Sequence, residues 1–399
     1  MSVVPTLNLR FVLTALILIW LMSFPAKGVF FQFSLYLLPI LVLAFRRTRL
    51  LFKRDRSVLL LLSVSLALPL FLSELRSLIF NGGSLSTDPF NVFWRLAFFP
   101  VVLAVACDYG RFPIRKLQNS LVLVAVIYGV VGIGSSLFHF SLNNRNFGWR
   151  IAGIVSNPNP FGFLMIAATL IAIQQLIRAV TKREAFLFML VVVLLMVAGA
   201  LSGSRSALLG GVLGLVLLLG LQRKSIISRF CGKKKIWIIG VGSTLLLIPL
   251  LLWQLPHMDQ LQGRFIGASG NIRLQIWQYY LGLVSENPFL GVPLSAENKF
   301  HYLGKIYGPH NMYLSVLVHS GLVGLAGLLT VLGWLVKRIT CSNNINKHLC
   351  LALLLLLCVF CFFNSSFFGS VMTQGGFALI VAMTLSREVP LENETQLSS

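Results

Sequence analysis

Residues 185–201 read AFLFMLVVVLLMVAGAL, residues 202–206 read SGSRS, and residues 207–221 read ALLGGVLGLVLLLGL. Neither apolar run carries a charge, and only a short polar link separates them. In lipid a backbone must satisfy its own amides, and a helix does this within one segment. The stretch therefore predicts two membrane helices meeting at a tight tip, Ser202 to Ser206. The pattern repeats outward in both directions. Phe11 to Phe24 and Val29 to Phe45 flank Pro25 and Lys27. Ser57 to Phe80 and Val92 to Cys107 flank a Gly/Ser-rich turn. Leu121 to Phe140, Phe161 to Val180, Ile236 to Trp253, Asn311 to Val336, Leu349 to Phe363 and Phe368 to Ser386 complete the set. The expectation is an all-α polytopic membrane protein of about 12 transmembrane helices, one membrane domain over residues 1–399, with the shorter runs extended or tilted.

Composition agrees. Of 399 residues 57% are hydrophobic and 11% charged, with a mean hydropathy of +0.85. A soluble chain of this length needs far more charge on its surface. The net charge of +22 invites a nucleic-acid reading, but the basic residues come in bursts between apolar runs, the positive-inside pattern of an inner-membrane protein. No nucleic-acid partner is expected. Placing the N-terminus in the cytoplasm puts Arg10, Arg46 to Arg56, Arg111 to Lys116, Arg178 to Arg183, Arg223 to Lys235, Lys337 to Lys347 and Arg387 inside, about 23 of the 33 basic residues. The C-terminus, with the polar tail 388–399, is then cytoplasmic as well. The first apolar run leads straight into a second, so it reads as a span and not as a cleaved signal. The six cysteines show neither a disulfide framework nor zinc spacing.

Two outside loops are long, Ser141 to Pro160 and the large periplasmic loop 254–309 between the ninth and tenth spans. Within the second, Asn271 to Ser285 reads as a short amphipathic helix on the membrane or capping the bundle, ended by Asn287-Pro288.

The informative cations are the outside ones, because the charge rule disfavours them there. They are Arg76, Arg95, Arg145, Arg150, Arg205, Arg264, Arg273, Lys299 and Lys305. Arg205 sits among small residues that let helices approach and leave room for a ligand; the competing reading is a guanidinium snorkelling to headgroups. Arg273 lies on the loop helix, where a solvated face is the alternative. His310, in Gly308-Pro309-His310-Asn311, stands where the loop re-enters the membrane, a position suited to proton exchange, or else is a helix-start histidine bonded to backbone. His319 within the span reads either way. Arg150 and Ser156-Asn157-Pro158-Asn159-Pro160 form a further polar cluster, or a plain turn. The outside acids Glu74, Asp88, Asp259, Glu286 and Glu297 are scattered, so no metal site and no cofactor is expected; arginines could neutralise a diphosphate instead.

At these residues the chain resembles the O-antigen ligase and polymerase family. The resemblance rests on Ser204-Arg205 with Leu208-Leu209-Gly210, on Gly270 to Trp277 followed by Glu286-Asn287-Pro288 and Gly291, and on His310-Asn311 with Tyr313-Leu314 and Gly321-Leu322 to Gly324-Leu325. The Asn157-Pro158-Asn159 turn fits as well. It covers roughly Arg150 to Leu325. Many members carry an acid where this chain has His319. The resemblance implies a GT-C-like glycosyltransferase architecture and glycan transfer at the periplasmic face of the inner membrane. The donor would be an O-antigen on undecaprenyl diphosphate and the acceptor a sugar hydroxyl of lipid A–core. It implies His310, Arg205 and Arg273 as catalytic residues and Arg150, Asn157, Asn159 and Asn311 as diphosphate- or glycan-binding residues, in a metal-independent, inverting reaction. Chain length and the large loop look more like a ligase than the longer protein-glycosylating relatives; polymerases share the motifs, and the ligase is the favoured reading of the two. Outside this class stand a lipid-linked glycan transporter, disfavoured because no internal repeat is visible, and a structural scaffold.

Overall fold

The structure is a computed structural model and describes residues 6–23, 29–81, 88–109, 113–138, 150–155, 157–229, 268–293, 299–342, 344–364 and 371–386. The expected ninth span, the tail, Arg145 and Arg264 lie outside the described residues. In chain order the helices are α1 (Thr6–Ser23), α2 (Val29–Ala44), α3 (Arg46–Arg54), α4 (Arg56–Phe80), α5 (Pro89–Tyr109), α6 (Ile114–Leu137), α7 (Pro158–Arg178), α8 (Lys182–Leu201), α9 (Arg205–Arg229), α10 (Ala268–Glu286), α11 (Met312–Thr340), α12 (Lys347–Asn364) and α13 (Val371–Leu385). Among the described residues eight of these helices are long and apolar enough to cross a membrane, and the apolar stretches Phe11–Ser23, Gln32–Ala44 and Thr373–Leu385 are shorter. The chain is an all-α polytopic membrane protein.

Local chemistry marks the helix starts. Asn157 accepts from the Asn159 amide at 2.9 Å, with Pro158 in the first turn of α7. Thr181 and Glu184 bond each other's backbone amides in a capping box that opens α8. Asn311 accepts from the Leu314 amide at 3.0 Å and opens α11.

Small residues set the packing. A Cβ on Gly210 would lie 2.9 Å from Leu356 Cδ1 and 3.1 Å from Leu356 O, and one on Gly214 would lie 3.0 Å from Ala352 O. These two glycines, four apart, let α9 rest on the backbone of α12, the close approach that drives helix association in lipid. Gly327 of α11 meets the backbone of Ser65 in the same way, at the π-helical segment Ser63–Ala67 of α4.

Among the described residues, basic side chains at several helix ends meet on one face of the bundle. There Arg54 pairs with Asp55 and Asp108 at 2.7 and 2.8 Å. Arg178 donates to Asn346 Oδ1 and Ile345 O at 2.8 and 2.6 Å, and Gln118 links Gln175 to Asn346. Gln222 near the end of α9 pairs with Gln174 on this face, whereas Trp277 of α10 packs against Phe362 on the opposite face. The described residues flanking the expected ninth span thus sit on opposite faces.

Two features depart from expectation. Residues Phe300–Tyr302 and Lys305–Tyr307 form a β-hairpin, β1–β2. Its central turn residues, Leu303 and Gly304, have φ of 47° and 70°. Both lie in the left-handed region that a tight two-residue hairpin requires, and a leucine there gives no Asn-Gly or Asp-Gly signal to read. The tenth apolar run also contains a break: Gly321 has φ 62° and ψ −164° inside α11. The segment after α10 fills it. Val292 N donates to Val318 O at 2.7 Å, and Leu322 N to Pro288 O at 2.8 Å. Cβ atoms on Gly291 or Gly321 would strike backbone, of Val318 and Phe289 respectively. A broken helix is tolerated at membrane depth only where protein satisfies the freed amides, and residues 287–292 do this.

Candidate active site

The face opposite the basic one carries the residues singled out in sequence. Arg150 begins a stretch that tucks under the α8–α9 tip: its Nε donates to Ser202 O at 2.8 Å, and Ile151 N donates to Leu201 O at 3.1 Å. Gly153, with φ 53°, lets this stretch rest on the backbone of Gly132. The other end of the Arg150 guanidinium donates to Asn159 Oδ1. Asn159 Nδ2 donates to Asn364 Oδ1 at 2.9 Å, and Asn364 Nδ2 donates to Ser206 Oγ. The relay runs head to tail from a cation across four segments, so each bond polarises the next. It ends beside Arg205, the first residue of α9, which is exposed.

Asn364 carries a second connection. Its backbone lies near the His310 ring and favours the ring's protonated form. His310 is a non-glycine residue with φ 49°, a conformation that costs free energy and is concentrated at functional sites. It immediately precedes the α11 cap, Asn311, which is 6% exposed and has committed its side-chain oxygen to Leu314 N. The His310 side chain has open surface, yet crowding by the surrounding protein is the first cause that pushes its pKa below the ordinary 6.5. The Arg273 charge adds to this and the Asn364 backbone opposes it. Crowding governs here more than contact area does, because the charged form loses the water around the ring.

Arg273 is exposed on α10. That helix is held by the buried Ile276 and Tyr280, which pack with Val292, Leu314 and Val318. Trp277 Nε1 donates to Pro309 O at 3.1 Å, one residue before His310. At the far end of α10, Arg76 of α4 donates to Asn287 Oδ1 at 2.6 Å. The structure thus brings Arg150, Asn159, Arg205, Arg273, His310 and Asn311 to one face, with Asn157 as an exposed cap at its edge. Arg95 is half-buried in the π-helical segment Phe93–Phe98, and Lys299 precedes the hairpin. The side chain of Lys305 is outside the described residues. His319 is buried in α11, with Nδ1 3.1 Å from Val292 O, so it clamps the inserted segment. Among the described residues no group of three or more His, Cys, Asp and Glu side chains is placed to hold a metal ion.

Asn364 is the residue that sequence reasoning missed. A single asparagine closing an apolar run looks like any membrane-interface residue. The only available signal was its place at the outer end of a span.

No curated protein matches the chain. Residues 190–329 match the family described as O-Antigen ligase. That stretch holds Arg205, Arg273, His310 and Asn311, while Arg150, Asn159 and Asn364 lie outside it. Through this region, which carries Arg205, Arg273, His310 and Asn311, the chain is similar to the O-antigen ligase family.

Proposed function

We propose that the protein is an O-antigen ligase. In this reading it moves a glycan from undecaprenyl diphosphate to a sugar hydroxyl of lipid A–core, in lipopolysaccharide biosynthesis at the periplasmic face of the inner membrane. The carrying observation is His310, at positive φ beside the α11 cap and next to the Trp277 anchor of the Arg273 helix, on the face that bears Arg205. The charge rule makes that face the periplasmic one.

Arg205 and Arg273 bind the donor diphosphate, with Arg150 bracing the Arg205 tip through Ser202 and Asn159. Asn157 keeps an exposed amide at the rim. The acceptor oxygen attacks the anomeric carbon and its proton passes to His310. The bond from that carbon to the diphosphate oxygen breaks, and the leaving diphosphate takes the electron pair. The two guanidinium groups stabilise the charge that builds on it. Single displacement inverts the anomeric carbon, and departure of the lipid diphosphate supplies the driving force without a nucleotide. A base that is neutral at pH 7 suits this step, and the depressed pKa of His310 supports it.

The test is lipopolysaccharide analysis of a deletion strain complemented with wild type, His310→Ala, Arg205→Ala or Arg205→Lys. Wild type restores O-antigen on lipid A–core. The two alanine variants, at normal abundance, leave it bare with lipid-linked polymer accumulating, and Arg205→Lys is impaired because lysine offers no bidentate fork. A core carrying a single repeat unit in the deletion strain identifies a polymerase instead. An unchanged ladder rejects both and returns a transporter to consideration.

A further inference from the structure

The β1–β2 hairpin beside His310 carries a run of aromatic rings. Its register pairs Phe300 with Tyr307 and Tyr302 with Lys305, so Phe300, Tyr302 and Tyr307 share one face of the ribbon. Ring centroids are 6.3 Å apart from Tyr302 to Phe300, with the planes 10° from parallel. They are 6.5 Å apart from Phe300 to Tyr307 and 6.4 Å from Tyr307 to His310. The rings form a row that ends at the histidine. Tyr279 of α10 flanks it, 5.5 Å from Phe300.

Phe300, Tyr307 and Tyr279 also pack against the cluster that holds α10, but fastening the hairpin there does not account for the whole row. Tyr280 does the fastening: it is fully buried, donates its hydroxyl to Tyr307 O at 2.7 Å and accepts from Phe300 N at 3.4 Å. Phe300, Tyr302 and Tyr307 stay only partly buried. Tyr302 is not part of the hydrophobic cluster that holds α10. Among the described residues the hydroxyls of Tyr279, Tyr302 and Tyr307 make no hydrogen bond within the protein. A core patch built only for packing has little use for three such hydroxyls, which phenylalanine would spare. Aromatic faces with unspent hydroxyls at their rims complement a sugar, which offers an apolar patch of C–H groups within a ring of hydroxyls. The spacing of the rings is comparable to one sugar unit.

We propose that Tyr302, Phe300 and Tyr307 form a saccharide-binding track that leads a glycan to His310. This rests on the glycan-transfer reading above and adds a subsite to it. The glycan comes either from the donor or from the acceptor, and the two are separable by experiment.

The test uses the whole protein in lipid nanodiscs and saturation-transfer NMR. The probes are core oligosaccharide freed from lipid A by mild acid and O-antigen fragments of a few repeat units. One probe is expected to receive saturation on its ring C–H protons, and its identity names the source. Tyr302→Ala should weaken that probe about tenfold, equivalent to about 1.4 kcal/mol, whereas Tyr302→Phe keeps most of the affinity. Saturation of neither probe by wild type, or equal affinity in Tyr302→Ala, overturns the track. Transfer lost in His310→Ala with probe affinity unchanged in Tyr302→Ala leaves the ligase standing and removes the track. Probe binding that depends on Tyr302, in a protein that transfers nothing, leaves the track and removes the ligase.

Discussion

His310 is positioned by groups far from it in sequence, and each makes a separate prediction. Crowding and then the Arg273 charge lower its pKa from 6.5, so the neutral base prevails at pH 7 and activity is lost as pH falls through the lowered value. The acid limb of kcat/KM should therefore lie below pH 6.5. Arg273→Ala removes one lowering cause, so its residual activity should show that limb at higher pH. A limb that does not move would detach Arg273 from the base. Asn364→Ala removes the bonds to Asn159 and Ser206 that fix the end of α12. Shifting that end of α12 beside His310 should cut kcat by about a hundredfold with protein abundance retained, measured by turnover in membranes. Arg205 and Arg273 stood out in the sequence because an arginine outside the membrane goes against the charge rule, and His310 because it stands where the long loop re-enters the membrane. Asn364 was not, because its meaning comes from residues 159, 206 and 310, which no local pattern joins to it.

At the scale of elements, the union of residues 287–292 with the break in α11 holds the Arg273 helix against the His310 end of the span. Two glycines make it possible, and both have left-handed φ as well as backbone neighbours in the way of a Cβ. Gly321→Ala should lower stability by about 3 kcal/mol or more, combining backbone strain with overpacking, seen as a lower Tm in detergent. A Tm equal to wild type would mean the break relaxes at no cost. This device was hidden from hydropathy. The run Asn311 to Val336 looks continuous because a broken helix keeps its apolar side chains, and the break lies only in backbone angles. The hairpin was hidden for a related reason, since a leucine occupies the turn position where asparagine or glycine would have announced it. The loop helix was readable from its spaced Ile, Leu, Trp and Tyr positions, and it extends over Ala268–Glu286, three residues before the expected start and one past the expected end.

Across the whole molecule, the helices alternate between a basic face, knit together by Arg54, Arg178 and Gln118, and the face that bears His310. Run lengths and the distribution of Lys and Arg were enough to read this sidedness, because insertion responds to the same quantities. Cys341 is exposed at the basic end of α11 and Ile154 is 38% exposed beside the Arg150 stretch. In a Cys231→Ser background, Cys341 should react with an impermeant maleimide only after the cells are permeabilised, and Ile154→Cys should react in intact spheroplasts. The opposite result would invert the protein in the membrane and place the proposed chemistry on the wrong side.

The seam at Gly210 and Gly214 has a mechanical consequence for the site. With α9 seated on the α12 backbone, Arg205 and Asn364 are carried by what amounts to one beam, and the spacing between them is as stiff as the bundle itself. Arg273 is borne by a separate limb, fastened to α11 by the plug in the broken helix, by the packing of Ile276 and Tyr280 and by the Trp277 bond to Pro309, and to α4 by Arg76. The mouth of the site therefore has two jaws on separate mountings, so a change at the α10–α11 seam moves Arg273 without moving Arg205.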